Sequence, residues 1–149
     1  MAHGTLFIIA DGAHARLVAR SPDTGDFVTL RELDGSRDLD ILRAELRASP
    51  AGRSQNSTSA SRSAVGPVES FRDAKEHFVC AVADLAAEHF ADRAPNGMVV
   101  VAPARLIGVM LERLEGRVEI TGRLAKDLTK VPNHELAAWL AKFETPVRA

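Results

Sequence analysis

The sequence predicts an α/β domain: a single mixed β-sheet of about five strands, an antiparallel N-terminal meander joined to a parallel strand-helix-strand unit, flanked by about four helices. Three observations predict it. Two runs, TLFIIA at Thr5–Ala10 and GMVVVA at Gly97–Ala102, are continuously apolar over a strand's length, as in strands covered on both faces. Stretches between Ala13 and Leu33 alternate apolar with polar side chains, and much of the second half repeats apolar residues at helical spacing.

The first apolar run is expected to be a central strand. Asp11-Gly12 follows it, a pair suited to the positive φ angles of a tight hairpin, and AHARLVAR then sets Ala15, Leu17 and Ala19 against His14, Arg16 and Arg20, a half-buried strand. After the break SPDTGD, FVTLREL at Phe27–Leu33 completes the meander. Ser36 is placed to cap a helix with Asp38 and Asp40 in its first turn and Arg43 and Arg47 in its last, as the helix dipole favours, with Leu39, Leu42 and Leu46 on one face.

The segment from about 48 to 68, read as flexible, is rich in serine, glycine and proline and has no acid. The longest helix is expected over Glu69–Arg93, with Phe71, Ala74, Phe78, Val82, Leu85 and His89 along one face and Pro95-Asn96-Gly97 as its stop. The second apolar strand leads into PARLIGVMLERLEG, a helix with Leu106, Met110 and Leu114 on one stripe. RVEITGRLA, with Val118, Ile120 and Leu124 alternating against polar residues, then returns as a strand parallel to the one before the helix. PNHELAAWLAKF closes the chain as a helix with Leu136, Trp139, Leu140 and Phe143 inward.

Composition narrows the function. The length of 149 residues and 46% hydrophobic content fit one domain spanning 1–149, and the single Cys80, within the long helix's apolar region, has no partner for an internal disulfide. Nineteen basic and twenty acidic residues give no global field toward nucleic acid or membrane, so any such binding must be local. No run is long enough for a spanning helix, and no basic leader precedes the first apolar run, so the expectation is a cytoplasmic protein without membrane contact.

No metal site or cofactor is expected. His77 and His89 fall about 18 Å apart along the long helix and about 120° apart around it, too far to share an ion. No G-x-S-x-G elbow occurs, and His14 beside Asp11 reads as a solvated strand residue. Asp127, in KDLT after the last strand, satisfies turn donors in one reading and is a carboxylate at a strand's end, a catalytic candidate, in the other. Arg105, in APAR, puts a guanidinium at a helix N-terminus, an anion-binding arrangement. Arg53 and Arg62 in the 48–68 segment, with Arg43 and Arg47 before it, can follow phosphates, although no aromatic is interleaved.

Taken in order and spacing, LFIIADGAHARLVAR, SPAGRS, SFRDAKEHFVCAVADLAAEH, MVVVAPARLIGVMLERL and LAKDLTKVPNHELAAWL resemble the bacterial host attachment protein family, also called protein required for attachment to host cells. ADGAHARL, PAGR, VAPARLIG and KDLT are its specific parts. Where that family tends to carry an acid before Pro-Gly-Arg, this chain reads Ser49-Pro50-Ala51-Gly52-Arg53. The family in turn resembles the middle domain of archaeo-eukaryotic release factors and Pelota.

The resemblance implies a release-factor-like α/β fold in which the 48–68 segment stands where those factors carry a Gly-Gly-Gln loop. Gly52, Arg53, Gln55 and Arg62 are then the expected contacts to RNA or the ribosome, with Arg105 a further binding residue. A release-factor-like hydrolase acting on peptidyl-tRNA or another RNA-linked or phosphorylated substrate, using Gln55 or Asp127, is the first alternative. A protein–protein interaction module is the second.

Overall fold

The computed structural model describes residues 4–37, 44, 67–90 and 96–144. A five-stranded mixed sheet organises them: β1 (Leu6–Ala10), β2 (His14–Arg20), β3 (Phe27–Asp34), β4 (Met98–Ala102) and β5 (Ile120–Ala125), in the order β3-β2-β1-β4-β5. The meander pairs antiparallel, while β1–β4 and β4–β5 pair parallel. β1 is central, as its unbroken apolar run requires.

Helix α1 (Pro67–Phe90) and helix α2 (Ala104–Leu114) cover one face of the sheet. There Leu6, Ile8, Leu17, Met98 and Val100 meet Val79, Val82, Ala86, Leu106 and Met110. The opposite face carries Phe7, Ile9, Val18, Phe27, Val99 and Val101 under Leu128, Leu136 and Leu140. The expected C-terminal helix is broken into a 3₁₀ turn (Asn133–Glu135), a short helix α3 (Ala137–Leu140) and a second 3₁₀ turn (Ala141–Phe143). Arg20 fixes the end of this lid through two nitrogens to the Glu144 carboxylate, at 2.8–3.0 Å.

Several expectations are corrected by packing. Arg16 is buried rather than solvent-facing, because the lid covers the second face of β2. The buried stripe of α1 is Val79, Val82, Ala83, Ala86 and Phe90, and His89 is exposed. Leu124 faces the lid while Val118 and Ile120 face the helices. A bulge causes this: Met98 opposes Ile120 but Val99 opposes Gly122, so Thr121 is an extra residue that inverts the alternation. Trp139 is on the surface.

Turn chemistry departs from expectation as well. Neither Asp11 nor Gly12 has a positive φ; the turn is held by the Asp11 side chain, whose Oδ1 accepts the amides of Ala13 and His14 at 2.7 Å each. Glycine is needed at 12 for space, since a Cβ there would lie 2.5 Å from Lys75 Cγ on α1. At the first helical residues, Ser36 and Arg37, the capping acceptor is the Asp34 carboxylate rather than Ser36. The rest of that expected helix, apart from helical Ala44, and the ends of the long helix beyond Phe90 lie outside the described residues.

Candidate functional site

Two of the specific sequence motifs, ADGAHARL and KDLT, meet in space. β1 is flanked by an antiparallel neighbour on one side and a parallel one on the other, so its C-terminal end is a switch point of the sheet, the position at which open α/β sheets place their ligands. Asp11 stands at that end. Its Oδ1 closes the β1–β2 turn, and its Oδ2 lies 3.1 Å from the Thr129 hydroxyl in the turn after β5. That hydroxyl is also 2.6 Å from Asp127 Oδ1, which accepts the Thr129 amide at 3.0 Å. One hydroxyl proton thus stands between two carboxylates and serves one of them at a time.

Arg16 sets the height of the second loop. Its guanidinium donates to the Leu128 carbonyl at 2.7 Å, to Asn133 Oδ1 at 2.9 Å and to the Val131 carbonyl, pinning 128–133 against β2. Burial lowers the Arg16 pKa from its ordinary value, with Glu32 acting the other way. Arg16 Nε is buried and has no hydrogen-bond partner.

Between this loop and β2–β3 opens a cleft of about 580 Å³ lined by His14, Arg16, Glu32, Asp34, Thr129 and Lys130 among others. The His14 imidazole is about half exposed, with Nδ1 3.8 Å from Asp11 Oδ1 and Nε2 3.6 Å from Asp34 Oδ1. Those are ion-pair separations, too long for hydrogen bonds, so neither carboxylate holds the ring as a base-orienting partner would. Asp34 accepts the amide and the hydroxyl of Ser36, which hold its pKa below the usual carboxylate value.

Basic side chains from three parts of the chain gather at this end of the sheet. Lys75 lies across Gly12, Arg105 is exposed in the first turn of α2 directly after β4, and Lys126 and Lys130 flank the Asp127–Thr129 turn. The α2 N-terminus has no side-chain cap. Of the residues singled out from sequence, Asp127 and Arg105 are therefore on this edge, Asp127 exposed and with one oxygen engaged in its turn. Gly52, Arg53, Gln55 and Arg62 lie outside the described residues.

Sequence reasoning missed Thr129, Lys75 and the anchoring role of Arg16. Only Thr129 left a legible signal, an Asp-x-Thr spacing suited to a side-chain turn.

Another groove, of about 720 Å³ between α2 and β5, sets Glu112 and Glu115 near Arg123 and holds none of the converging motif residues. Among the described residues no three His, Cys, Asp or Glu side chains are grouped to hold a metal ion, and no helix is long and apolar enough to cross a membrane.

A family model described as protein required for attachment to host cells matches residues 6–140. No curated protein matches the chain.

Proposed function

The chain belongs to the family of proteins required for attachment to host cells, and we propose that it acts as a non-enzymatic RNA-binding domain whose contact surface is the C-terminal edge of the parallel strands. One observation supports this reading: Lys75, Arg105, Lys126 and Lys130, supplied by separate elements, all stand at the end of the sheet where the β1 and β5 turns meet, Lys75 on the α1 side, Lys126 toward the lid and Lys130 in the cleft. Asp11, Glu32, Asp34 and Asp127 share that edge, and the three aspartates each accept a backbone amide, which offsets part of their charge.

The arginine-bearing segment belongs to the same surface in this reading. Asp34 before it lines the cleft. After it, α1 begins at Pro67, about 12 Å along the helix axis from Lys75 at about 1.5 Å per residue. Arg53, Arg62 and Gln55 would then reach the RNA that the lysines hold. Kinship with release-factor middle domains, and a place in the cytoplasm where ribosomal RNA is abundant, are parts of this proposal, supported by the mixed sheet and by the long helix that follows the segment.

The test is a fluorescence anisotropy titration of a labelled single-stranded oligoribonucleotide across a salt series. Affinity should fall steeply as salt rises, and each lysine-to-alanine change at 126 or 130 should flatten the log–log slope by about 0.7. Arg53→Ala with Arg62→Ala should weaken binding further. Absence of binding at low salt would overturn the proposal.

A further inference from the structure

We propose that Trp139 is a stacking platform for one unpaired base, which takes the place of the Lys126 ammonium over the ring while that ammonium moves to the phosphate; this rests on the RNA-binding reading above and extends its surface past the cleft. The sequence placed Trp139 in the core and found no aromatic among the basic residues. Packing reverses both points. Leu136 and Leu140, one helical turn apart, are fully buried and fix the orientation of α3, so Trp139 is turned outward with 37% of its surface exposed. Leu30 is the other exposed large hydrophobic residue of the described structure, and it stands at the bulge of β3, on the strand at the far edge of the sheet.

The Lys126 Nζ stands over the indole, 5.2 Å from the ring centroid. Lys126 and Lys130 bracket the turn whose Thr129 reaches Asp11; Lys130 lines the cleft, while Lys126 is turned to the tryptophan. In the free protein the ammonium caps the indole by a cation–π contact; a single-stranded nucleic acid would draw it to a phosphate and stack a base on the ring in its place, without regard to base identity. A polyanion without bases would use the lysines and have nothing to stack on the ring.

Trp139 is the only tryptophan in the chain, which makes the test direct. Oligouridylate of about a dozen nucleotides, and inorganic polyphosphate of similar charge, are titrated into the full chain while intrinsic emission and the anisotropy of a label on the oligonucleotide are followed in parallel. Saturable quenching by oligouridylate that tracks the anisotropy, with little quenching by polyphosphate, is expected. Trp139→Ala should weaken oligouridylate binding about tenfold and leave polyphosphate binding unchanged. Trp139→Phe should recover most of the affinity, and Lys126→Ala should lower affinity for both ligands.

Circular dichroism confirms that each variant folds. Oligouridylate binding without quenching, and equal in Trp139→Ala, would overturn the stacking role while leaving the RNA-binding reading intact. Absence of any binding would overturn both.

Discussion

Arg16 shows how a single residue misleads a pattern and still decides the site. Alternation along β2 put it with the solvent-facing residues, because nothing local reveals that the chain returns more than a hundred positions later to cover that face. Once covered, the guanidinium is held by two carbonyls and an amide oxygen that no water replaces easily. Arg16→Ala should cost about 2–4 kcal/mol of stability in urea unfolding, because it leaves buried acceptors unpaired. Arg16→Lys should restore only a minor part, since an ammonium cannot span the fork.

Asp34 was missed by only two residues: the sequence placed the cap on Ser36, whereas the Asp34 carboxylate accepts the Ser36 amide and hydroxyl. Its carboxyl should titrate below the ordinary value of about 3.9 when followed by NMR, and Ser36→Ala should move the midpoint up toward that value. The depressed pKa means that its contribution is present above the unfolded value and is lost as pH falls through the folded one. Gln55, by contrast, gains nothing from such reasoning. It falls outside the described residues.

At the scale of elements, identity was legible and phase was not. The apolar runs of β1 and β4 and the helical spacing of α1 and α2 each set the element type, and the structure agrees on all four. Phase failed where a non-local event intervened: the Thr121 bulge sends Leu124 to the other face, and the closing helix gave way to short turns that leave Trp139 outside. Nor does helical periodicity name the ion pair that joins α1 to α2.

There Asp84 accepts from Arg113 through two bonds of 2.8 Å and from Arg117 at 2.7 Å, and these partners hold its pKa well below the usual carboxylate range. The sign follows from that depression: the clamp stabilises fully above the unfolded value of about 3.9 and is lost as pH falls through the lower folded value. Denaturant midpoints of wild type and Asp84→Asn should therefore differ most near neutral pH and converge as pH drops toward about 2. A constant gap over that range would contradict the ion-pair account.

For the whole molecule, the mixed topology followed from two sequence facts: consecutive alternating strands pair antiparallel, and a helix between two strands returns the chain parallel. The consequence that matters for function, a switch point at the end of β1, was within reach of the same reasoning, since β1 must pair with both halves. The gathering of Lys75, Arg105, Lys126 and Lys130 on that edge was not, because it depends on where each helix and turn lies over the sheet. Overall charge balance hid it too, with nineteen basic against twenty acidic residues. Basic residues set among Asp11, Glu32, Asp34 and Asp127 at one edge of a near-neutral chain lead the proposed reading to predict binding that salt weakens, without a general affinity for anionic surfaces.

Ultraviolet crosslinking of the full chain to a single-stranded RNA, followed by mass-spectrometric mapping of the joined peptides, tests that central claim most directly. Crosslinks should fall in the turns at 11–14 and 126–130, in the first turn of α2, and in α3 at Trp139. Crosslinks confined to the α2–β5 groove around Glu112, Glu115 and Arg123, or none at low salt, would contradict it.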